Sequence, residues 1–209
     1  MAISYPIEMP EGLISNIVWT SESAQQVSYS PRSFSRNIID WGGQRFKVDI
    51  TVQRNTHEKT RKWRSFILSM HGAAGSFLLN PYGFDQSFSY GNWNKSSTRA
   101  SSRITIVGQD IVDSTLRVQF PTSGIQNALA AGDFVQIGFG QAARLHMVLE
   151  DVSSDASSIE IWPRARKSSV GGRLTTLRPK GVFYFSEPIA SWTQDPLWHH
   201  DITFTAYSS

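Results

Sequence analysis

Residues 42–80 read as a strand, a helix and a second strand, and this stretch constrains the fold more than any other part of the chain. Within residues 44–53, apolar and polar side chains alternate with the period of a strand that buries one face. The apolar face consists of Phe46, Val48, Ile50 and Val52. A single strand cannot remove such a face from water, so another element must cover it. The stretch therefore predicts a sheet with a helix packed on it.

The segment after this strand has the pattern of the covering helix. Asn55 and Glu58 have the spacing of a capping box at a helix start. Gly72 suits the left-handed conformation that often ends a helix. Between them, apolar side chains recur at the spacing of one helical stripe. The stripe, which is the candidate core of helix packing, consists of Trp63, Phe66, Ile67 and Met70.

The polar face of the strand at 44–53 is the candidate surface for self-assembly. It carries Arg45, Lys47, Asp49 and Thr51. Residues 1–30 and 181–209 contain carboxylates but no Lys or Arg, whereas residues 31–70 are rich in both. This pattern suits a sheet whose terminal strands flank the Arg45 strand, and ordinary scatter of charge on solvated faces explains it equally well. Charged residues make up only 18% of the chain, against about 25% in typical domains, which hints that much of the surface faces other protein.

Shorter strands are predicted on both sides of this unit. Residues 14–20, 25–30 and 37–41 have extended, apolar-rich patterns. The run Trp41-Gly42-Gly43-Gln44 places two glycines between apolar segments and so predicts a hairpin turn. Near the end of the chain, residues 192–207 predict one long strand, with Ile202, Phe204 and Ala206 facing inward.

The middle of the chain differs in composition from both ends. Residues 82–102 combine Gly, Ser and Asn with aromatic residues and have no period, which predicts a long loop. Its candidate contacts with a partner or a glycan are Tyr82, Phe84, Tyr90 and Trp93. Such aromatic residues more often pin a loop to its own domain, and we favour that interpretation.

Residues 100–178 predict a small β-barrel or sandwich, because five or six short strands are separated by turns and no helix intervenes. One of these strands, at 144–149, is expected to place Leu145, Met147 and Leu149 on one face. The predicted fold is mainly β, of the α+β kind, with one packed helix. We expect residues 1–80 and 181–209 to form one domain, and residues 81–180 to contribute the aromatic loop and an inserted β-domain.

A search for catalytic, metal and cofactor motifs finds none that carries a function. The chain has no cysteine, which excludes disulfides and thiolate metal sites. Glu150, Asp151 and Asp155 crowd one turn, where calcium could bind, although a solvated turn explains them better. We find no nucleophile elbow and no phosphate-binding loop. No apolar run approaches the roughly 20 residues of a membrane span. The sequence therefore predicts no enzyme, no cofactor and no membrane partner.

The order of segments along the chain resembles a family of tailed-phage minor tail proteins. The match covers most of the chain at matching spacing. It is carried by Met1-Ala2-Ile3-Ser4-Tyr5-Pro6, the Trp41–Gln44 run with its strand, residues 66–72 followed by 75–79, residues 129–138, Ala143-Arg144-Leu145-His146, Asp155, Ile161-Trp162-Pro163-Arg164 and Pro179-Lys180-Gly181-Val182-Phe183.

This resemblance implies a distal tail protein of a long, non-contractile phage tail. Such a protein is a β-sandwich like a tail-tube subunit, flanked by a helix, with a further β-domain outside it. Six copies form a ring that joins the tail tube to the hub and tip complex and leaves a channel for DNA. The implied partners are copies of itself in a hexamer, the tail-tube protein, the hub and tip proteins and the tape-measure protein. The implied location is the tail tip of the virion, after synthesis in the host cytoplasm.

Two other functional classes remain open at the level of sequence. The first is a module that binds host-surface carbohydrate through the aromatic loop and the inserted β-domain. The second is a tail-tube or tail-completion subunit without a connecting role. In a ring, we expect neighbouring subunits to cover exposed strand edges at residues 44–53 or 192–207.

Overall fold

The computed structural model describes residues 3–10, 14–52, 57–81, 90–93, 104–110, 114–165, 170–188, 191–194 and 200–209. These residues form a mainly β fold with one α-helix, which confirms the predicted fold class. The elements in chain order are β1 (Ile7–Glu8), β2 (Ile14–Tyr29), β3 (Arg36–Val52), α1 (His57–Ser69), β4 (Phe77–Leu79), β5 (Ile104–Asp110), β6 (Thr115–Gln119), β7 (Phe134–Ile137), β8 (Arg144–Val148), β9 (Ser158–Trp162), β10 (Arg173–Thr175), β11 (Gly181–Phe185), β12 (Ser191–Gln194) and β13 (His200–Ser208).

Strands from both ends of the chain form one sheet. Its order is β1-β4-β11-β13-β3-β2, and β12 pairs with the first half of β13. The pair β1–β4 is parallel and the other pairs are antiparallel. β3 therefore lies between β2 and β13, so strands near the two chain ends flank the Arg45 strand, as the charge pattern suggested.

The sheet buries one face against α1. Phe46, Val48, Ile50 and Val52 of β3 are buried, because their alternation places all four on that face. The predicted helical stripe of Trp63, Phe66, Ile67 and Met70 is buried in the same cluster, which we call the sheet core. Ile202, Phe204 and Ala206 of β13 join it. The Trp63 and Phe66 rings meet edge to face at 5.7 Å, a favoured geometry for aromatic pairs.

Strands β5 to β10 close into a barrel in the order β10-β5-β6-β9-β8-β7. The barrel has its own hydrophobic cluster, the barrel core, which includes Ile106, Leu116 and Val135. β8 faces both cores: Leu145 and Met147 pack in the sheet core, whereas Val148 belongs to the barrel core. Leu149 lies just beyond β8, where its amide donates to the Glu160 carbonyl at 3.0 Å, and its side chain is exposed, so the face predicted for these three residues packs in the sheet core only at Leu145 and Met147.

An aromatic junction joins the sheet to the barrel. The Phe46 ring of β3 lies 4.6 Å from the Trp162 ring of β9, edge to face. The Trp19 ring of β2 lies 5.2 Å from the Phe134 ring of β7. Since these rings belong to the sheet on one side and to the barrel on the other, the two units bury apolar surface against each other.

The hairpin turn predicted at Gly42-Gly43 is wrong. β3 runs through both glycines, and the chain reverses at Ser30–Ser35, where the amide of Ser30 donates to the carbonyl of Ser35 at 3.0 Å. Opposite the glycines, the register of β2 against β3 shifts between Ser23 and Gln25. A Cβ on Gly43 would lie 2.9 Å from that of Ala24, and Gly42 has a φ of 73°. The glycines therefore permit an irregularity within a long pair of strands.

Two strand assignments near the chain ends also change. β2 is one strand over Ile14–Tyr29, whereas the sequence predicted two short ones. The single strand predicted at 192–207 is instead the antiparallel pair of β12 and β13. The predicted N-cap, Asn55, lies outside the described residues.

Candidate self-assembly site

The predicted self-assembly strand lies inside the sheet. The backbone of β3 from Lys47 to Val52 pairs with β13 on one side and with β2 on the other. The expectation of an uncovered edge at 44–53 is therefore wrong, and the same holds for β13, which pairs with β3 along Ile202–Tyr207. The sheet ends at β2 instead. The sequence could not reveal this, because strand order is set by pairing between distant segments.

The polar side chains of β3 interact with their neighbours on the outer face of the sheet. Arg45 Nε donates to Glu22 Oε2 at 2.7 Å, and the Arg45 guanidinium lies 3.7 Å from the centre of the Tyr207 ring. Lys47 Nζ lies 4.0 Å from Asp49 Oδ2. The hydroxyl of Thr205 donates to the same aspartate. Arg45, Lys47 and Asp49 thus belong to a polar layer on this face, and their contact with neighbouring subunits stays a prediction.

The most unusual surface is the far end of the β2–β3 hairpin, residues 23–41, which we call the arm. Each of its residues is exposed, apart from Ser30, which is half-buried. The strands stay paired along the arm, from Gln25 opposite Asp40 to Tyr29 opposite Arg36. Because a strand rises about 3.4 Å per residue, the tip of the arm lies about 20 Å from Gly43 along the strand direction. The arm therefore projects from the body of the sheet.

Both faces of the arm carry exposed apolar side chains. Val27 and Ile38 are opposite each other in the pairing and share one face. Ile39, one residue further, lies on the other face together with Trp41, which is 64% exposed. At the tip, Phe34 is 82% exposed and has a φ of 55°. Exposed apolar groups concentrated on one element indicate an interaction surface.

The sequence contained a signal for the arm that the strand assignments missed. A half-buried strand alternates polar and apolar residues, whereas Ile38 and Ile39 place apolar residues on both faces. The segment from Ser28 to Ser35 is rich in serine and contains Pro31, as expected of a turn. Together, these two signals indicate a hairpin with an interaction surface on each face.

The barrel holds the base of the arm. The Arg164 amide donates to Gln44 Oε1 at 2.8 Å, and Arg164 Nη2 lies 3.3 Å from Asp40 Oδ2. Asp40 Oδ1 also accepts from the Gly42 amide at 2.7 Å. This amide, with smaller contributions from Gln25 and Arg164, lowers the pKa of Asp40 despite some desolvation. The carboxylate thus stays charged where the arm leaves the sheet.

Arg164 is itself supported by a buried histidine. The carbonyl of Pro163, the residue before it, accepts from His146 Nδ1 at 2.6 Å. His146 is buried on β8. Burial lowers its pKa to about 4; the hydrogen bond to Pro163 opposes the shift, and the charge of Arg144 adds to it. At neutral pH the ring is therefore uncharged, with its proton on Nδ1.

Of the four aromatic candidates in the loop at 82–102, the two described ones differ in exposure. Tyr82 and Phe84 lie outside the described residues. Tyr90 is 72% exposed, but Trp93 is fully buried in the barrel core, with its ring 5.3 Å from that of Phe120. The role of Trp93 as a partner or glycan contact is thus wrong, and the residue pins the loop to the barrel. Asp133 helps, since its carboxylate accepts from the amides of Tyr90 and Gly91.

The acidic turn predicted as a weak calcium candidate has a structural role. Asp151 Oδ1 accepts from the Ala131 amide at 2.8 Å, and Asp155 Oδ1 accepts from the Gly124 amide at 3.0 Å. Among the described residues, no group of three or more His, Asp or Glu side chains is placed to hold a metal ion. In the same part of the chain, no helix has the length and apolar character needed to cross a membrane.

No protein-family model matches this chain, and no curated protein matches it in sequence.

Proposed function

We propose that this protein is a structural component of a phage tail. It is a ring-forming distal tail protein that connects the tail tube to the hub and tip complex and leaves a channel for DNA. Two independent lines support this proposal. One is the arm at residues 23–41, an element suited to contacts between subunits. The other is the resemblance of the segment order to tailed-phage minor tail proteins.

The arm is the observation that carries self-assembly. A two-stranded hairpin is at best marginally stable in water when it packs against nothing. Here the hairpin also exposes Val27 and Ile38 on one face and Ile39 and Trp41 on the other. Contact with a neighbour on each face would bury these side chains, at roughly 25 cal/mol per Å² of apolar surface removed from water. A second copy of the same chain would supply such a neighbour.

The edge strand β2 supports the same interpretation. Monomeric proteins protect long edge strands with charges, prolines or covering segments. β2 is sixteen residues long, ends the sheet, and contains Glu22 as its single charged residue. Arg45 already pairs with that carboxylate. Such an edge is better suited to a subunit interface than to permanent exposure.

In the proposed assembly, the arm of one subunit contacts a different surface of the neighbouring subunit. Such a contact is head to tail. Head-to-tail contacts close into rings or continue into filaments, depending on the rotation between subunits. The ring of six comes from the resemblance. In this proposal the protein has no enzymatic role and occupies the tail tip of the virion after synthesis in the host cytoplasm. Its partners are the tail-tube protein, the hub and tip proteins and the tape-measure protein.

The mass and shape of the purified protein test the proposal. We expect a mass that increases to that of a hexamer as concentration rises, and six-fold annuli in electron micrographs. Long stacked tubes would favour a tail-tube subunit instead. A monomer at every concentration, including after mixing with tail-tube protein, would contradict the proposal.

A pair of neighbouring substitutions separates assembly from folding. Ile38→Asp places a charge on an apolar face of the arm, outside both hydrophobic cores. We expect it to weaken assembly at least tenfold while leaving the unfolding free energy of the body within about 0.5 kcal/mol. Asn37→Asp adds the same charge one residue away, where the side chain is already polar, and serves as the control. Sedimentation and urea unfolding measure the two effects.

A further inference from the structure

A cavity of about 680 Å³ lies between the sheet and the barrel. Its walls come from five segments that are distant in the sequence. They are the middle of β3 at Gln44, the β7–β8 connection with its flanking strand residues at 137–146, the residues after β9 at 163–165, the start of β10 at 172–173, and residues 208–209. Cavities of this size at the contact between two units are where small molecules commonly bind.

Among the described residues, the side chains that line the cavity carry charge of one sign. Arg144, Arg164 and Arg173 line the cavity, and no Asp or Glu stands among the described residues that line it. Arg164 is offset by Asp40, which lies 3.3 Å from its Nη2. Arg144 Nη1 donates to the carbonyls of Gln141 and Ala143 at 3.1 and 3.3 Å. These bonds fix the position of the guanidinium group.

Arg173 gives the clearest sign of a missing partner. Its Nε is buried and has no hydrogen-bond acceptor within the described part of the chain. The Nε of Arg164 is also buried and has no hydrogen-bond acceptor within the described residues. Buried polar groups nearly always have a partner, so each such group requires an explanation. A bound anion explains both, because a guanidinium offers paired donors that match the oxygens of phosphate and carboxylate.

His146 adds a different kind of group to the same cavity. It lines the wall, and its Nδ1 donates to the Pro163 carbonyl. The proton therefore resides on Nδ1, which leaves Nε2 as an acceptor. The lining thus combines cationic donors with one neutral acceptor, and apolar side chains such as Ile137 and Leu145 complete it.

We propose that this cavity binds a small polyanion that carries phosphate or carboxylate groups. Arg173 and Arg164 contact its oxygens, and Arg144 adds positive charge. The cavity is large enough for more than one anionic group, which favours a diphosphate or a tricarboxylate over a single inorganic ion. This site differs from the proposed contacts between subunits, because it lies at the junction of the sheet and the barrel; it shares Arg164 with the base of the arm, and Arg173 belongs to the cavity alone.

Calorimetry on the full chain tests this proposal, with pyrophosphate and citrate as probes and sodium chloride at equal ionic strength as the blank. We expect saturable binding of at least one probe and an unfolding temperature that rises with its concentration. Arg173→Gln should weaken binding at least tenfold. Arg173→Lys should weaken it less, since the charge remains while the paired donors are lost. Arg117→Gln removes an exposed arginine from β6 of the same barrel and should leave binding unchanged.

Each outcome bears on the proposal. Binding of pyrophosphate alone identifies a phosphate ligand, and binding of citrate alone identifies a carboxylate ligand. The proposal fails if neither probe binds beyond the sodium chloride blank, or if Arg173→Gln and Arg117→Gln bind as the unchanged protein does. If Arg173→Gln lowers the unfolding temperature without ligand, probe binding by Arg173→Lys is compared with binding by the unchanged protein instead. Weaker binding by Arg173→Lys then supports the proposal, and equal binding contradicts it. A protein that forms no ring but binds pyrophosphate would contradict the proposed function and leave this site intact.

Discussion

His146 makes the stability of the protein depend on pH below neutrality. Burial lowers the pKa of its ring from 6.5 to about 4 in the folded protein, against the opposing hydrogen bond to Pro163 and with a further decrease from Arg144. The unfolded chain therefore takes up the proton first as the pH falls. The contribution to stability is complete above pH 6.5 and is lost as the pH falls to about 4. The expected loss is on the order of 3 kcal/mol.

Urea unfolding at a series of pH values between 7.5 and 4 measures this loss. His146→Gln is the matched variant, because its amide can still donate to the Pro163 carbonyl but does not titrate. We expect the unchanged protein to lose more stability than the variant over this interval. Parallel pH profiles for the two proteins would show that His146 is not the titrating group.

The Gly42-Gly43 pair determines how the arm continues from the sheet. A Cβ at position 43 would lie 2.9 Å from the Cβ of Ala24, closer than two such atoms pack. Gly43→Ala should therefore strain the base of the arm by about 1–3 kcal/mol. Faster hydrogen exchange of the arm amides would report this strain, because residues 23–41 lie outside both cores.

Ala24→Gly in the same chain relieves that contact, and the pair of substitutions forms a double-mutant cycle. The double variant should exchange more slowly than Gly43→Ala alone, with a coupling of about 1 kcal/mol. Additive effects of the two changes would mean that Ala24 and Gly43 do not meet in solution.

The elements predicted correctly from sequence are those whose pattern has one dominant period. The alternation over Phe46–Val52 and the helical spacing from Trp63 to Met70 each require a single buried face, and the structure has both. The two glycines had no such constraint, because Gly-Gly permits a turn and a strand irregularity equally well. The register of β2 shifts after Ser23, opposite the glycines, so here they permit a strand irregularity. This shift is a property of the pairing between strands.

The candidate site was harder to predict for a related reason. The polar residues Arg45, Lys47 and Asp49 were placed correctly on the face opposite Phe46, since alternation fixes that placement. Whether their strand is an edge depends on β13, which lies about 150 residues further along the chain. The anion cavity likewise combines Arg144, Arg164 and Arg173 from three different strands or loops. Periodicity carries no information about such distant neighbours.

The molecule as a whole contains two hydrophobic cores that meet at the aromatic junction. The sheet core comes from both chain ends, and the barrel core lies within residues 93–174. Phe46, Trp19, Phe134 and Trp162 bridge the two units, and Leu145 of the barrel strand β8 is buried in the sheet core. The same junction holds Arg164 against the base of the arm. The barrel therefore orients the arm as well as covering part of the sheet.

The junction should also make the sheet and barrel unfold together. The unchanged protein is expected to show one calorimetric transition, with equal calorimetric and van't Hoff enthalpies. Trp162→Ala removes the ring that lies 4.6 Å from Phe46 and should separate the sheet and barrel transitions, because each unit retains its own core.

Trp93→Ala is the matched control, since it removes a tryptophan from the barrel core and not from the junction. This control should lower the transition temperature, at a cost of about 3–5 kcal/mol, and keep a single transition. If Trp162→Ala also keeps one transition, then the coupling between sheet and barrel does not depend on the Trp162 ring, and the remaining contacts, such as Trp19 with Phe134 and Leu145 in the sheet core, are sufficient for it.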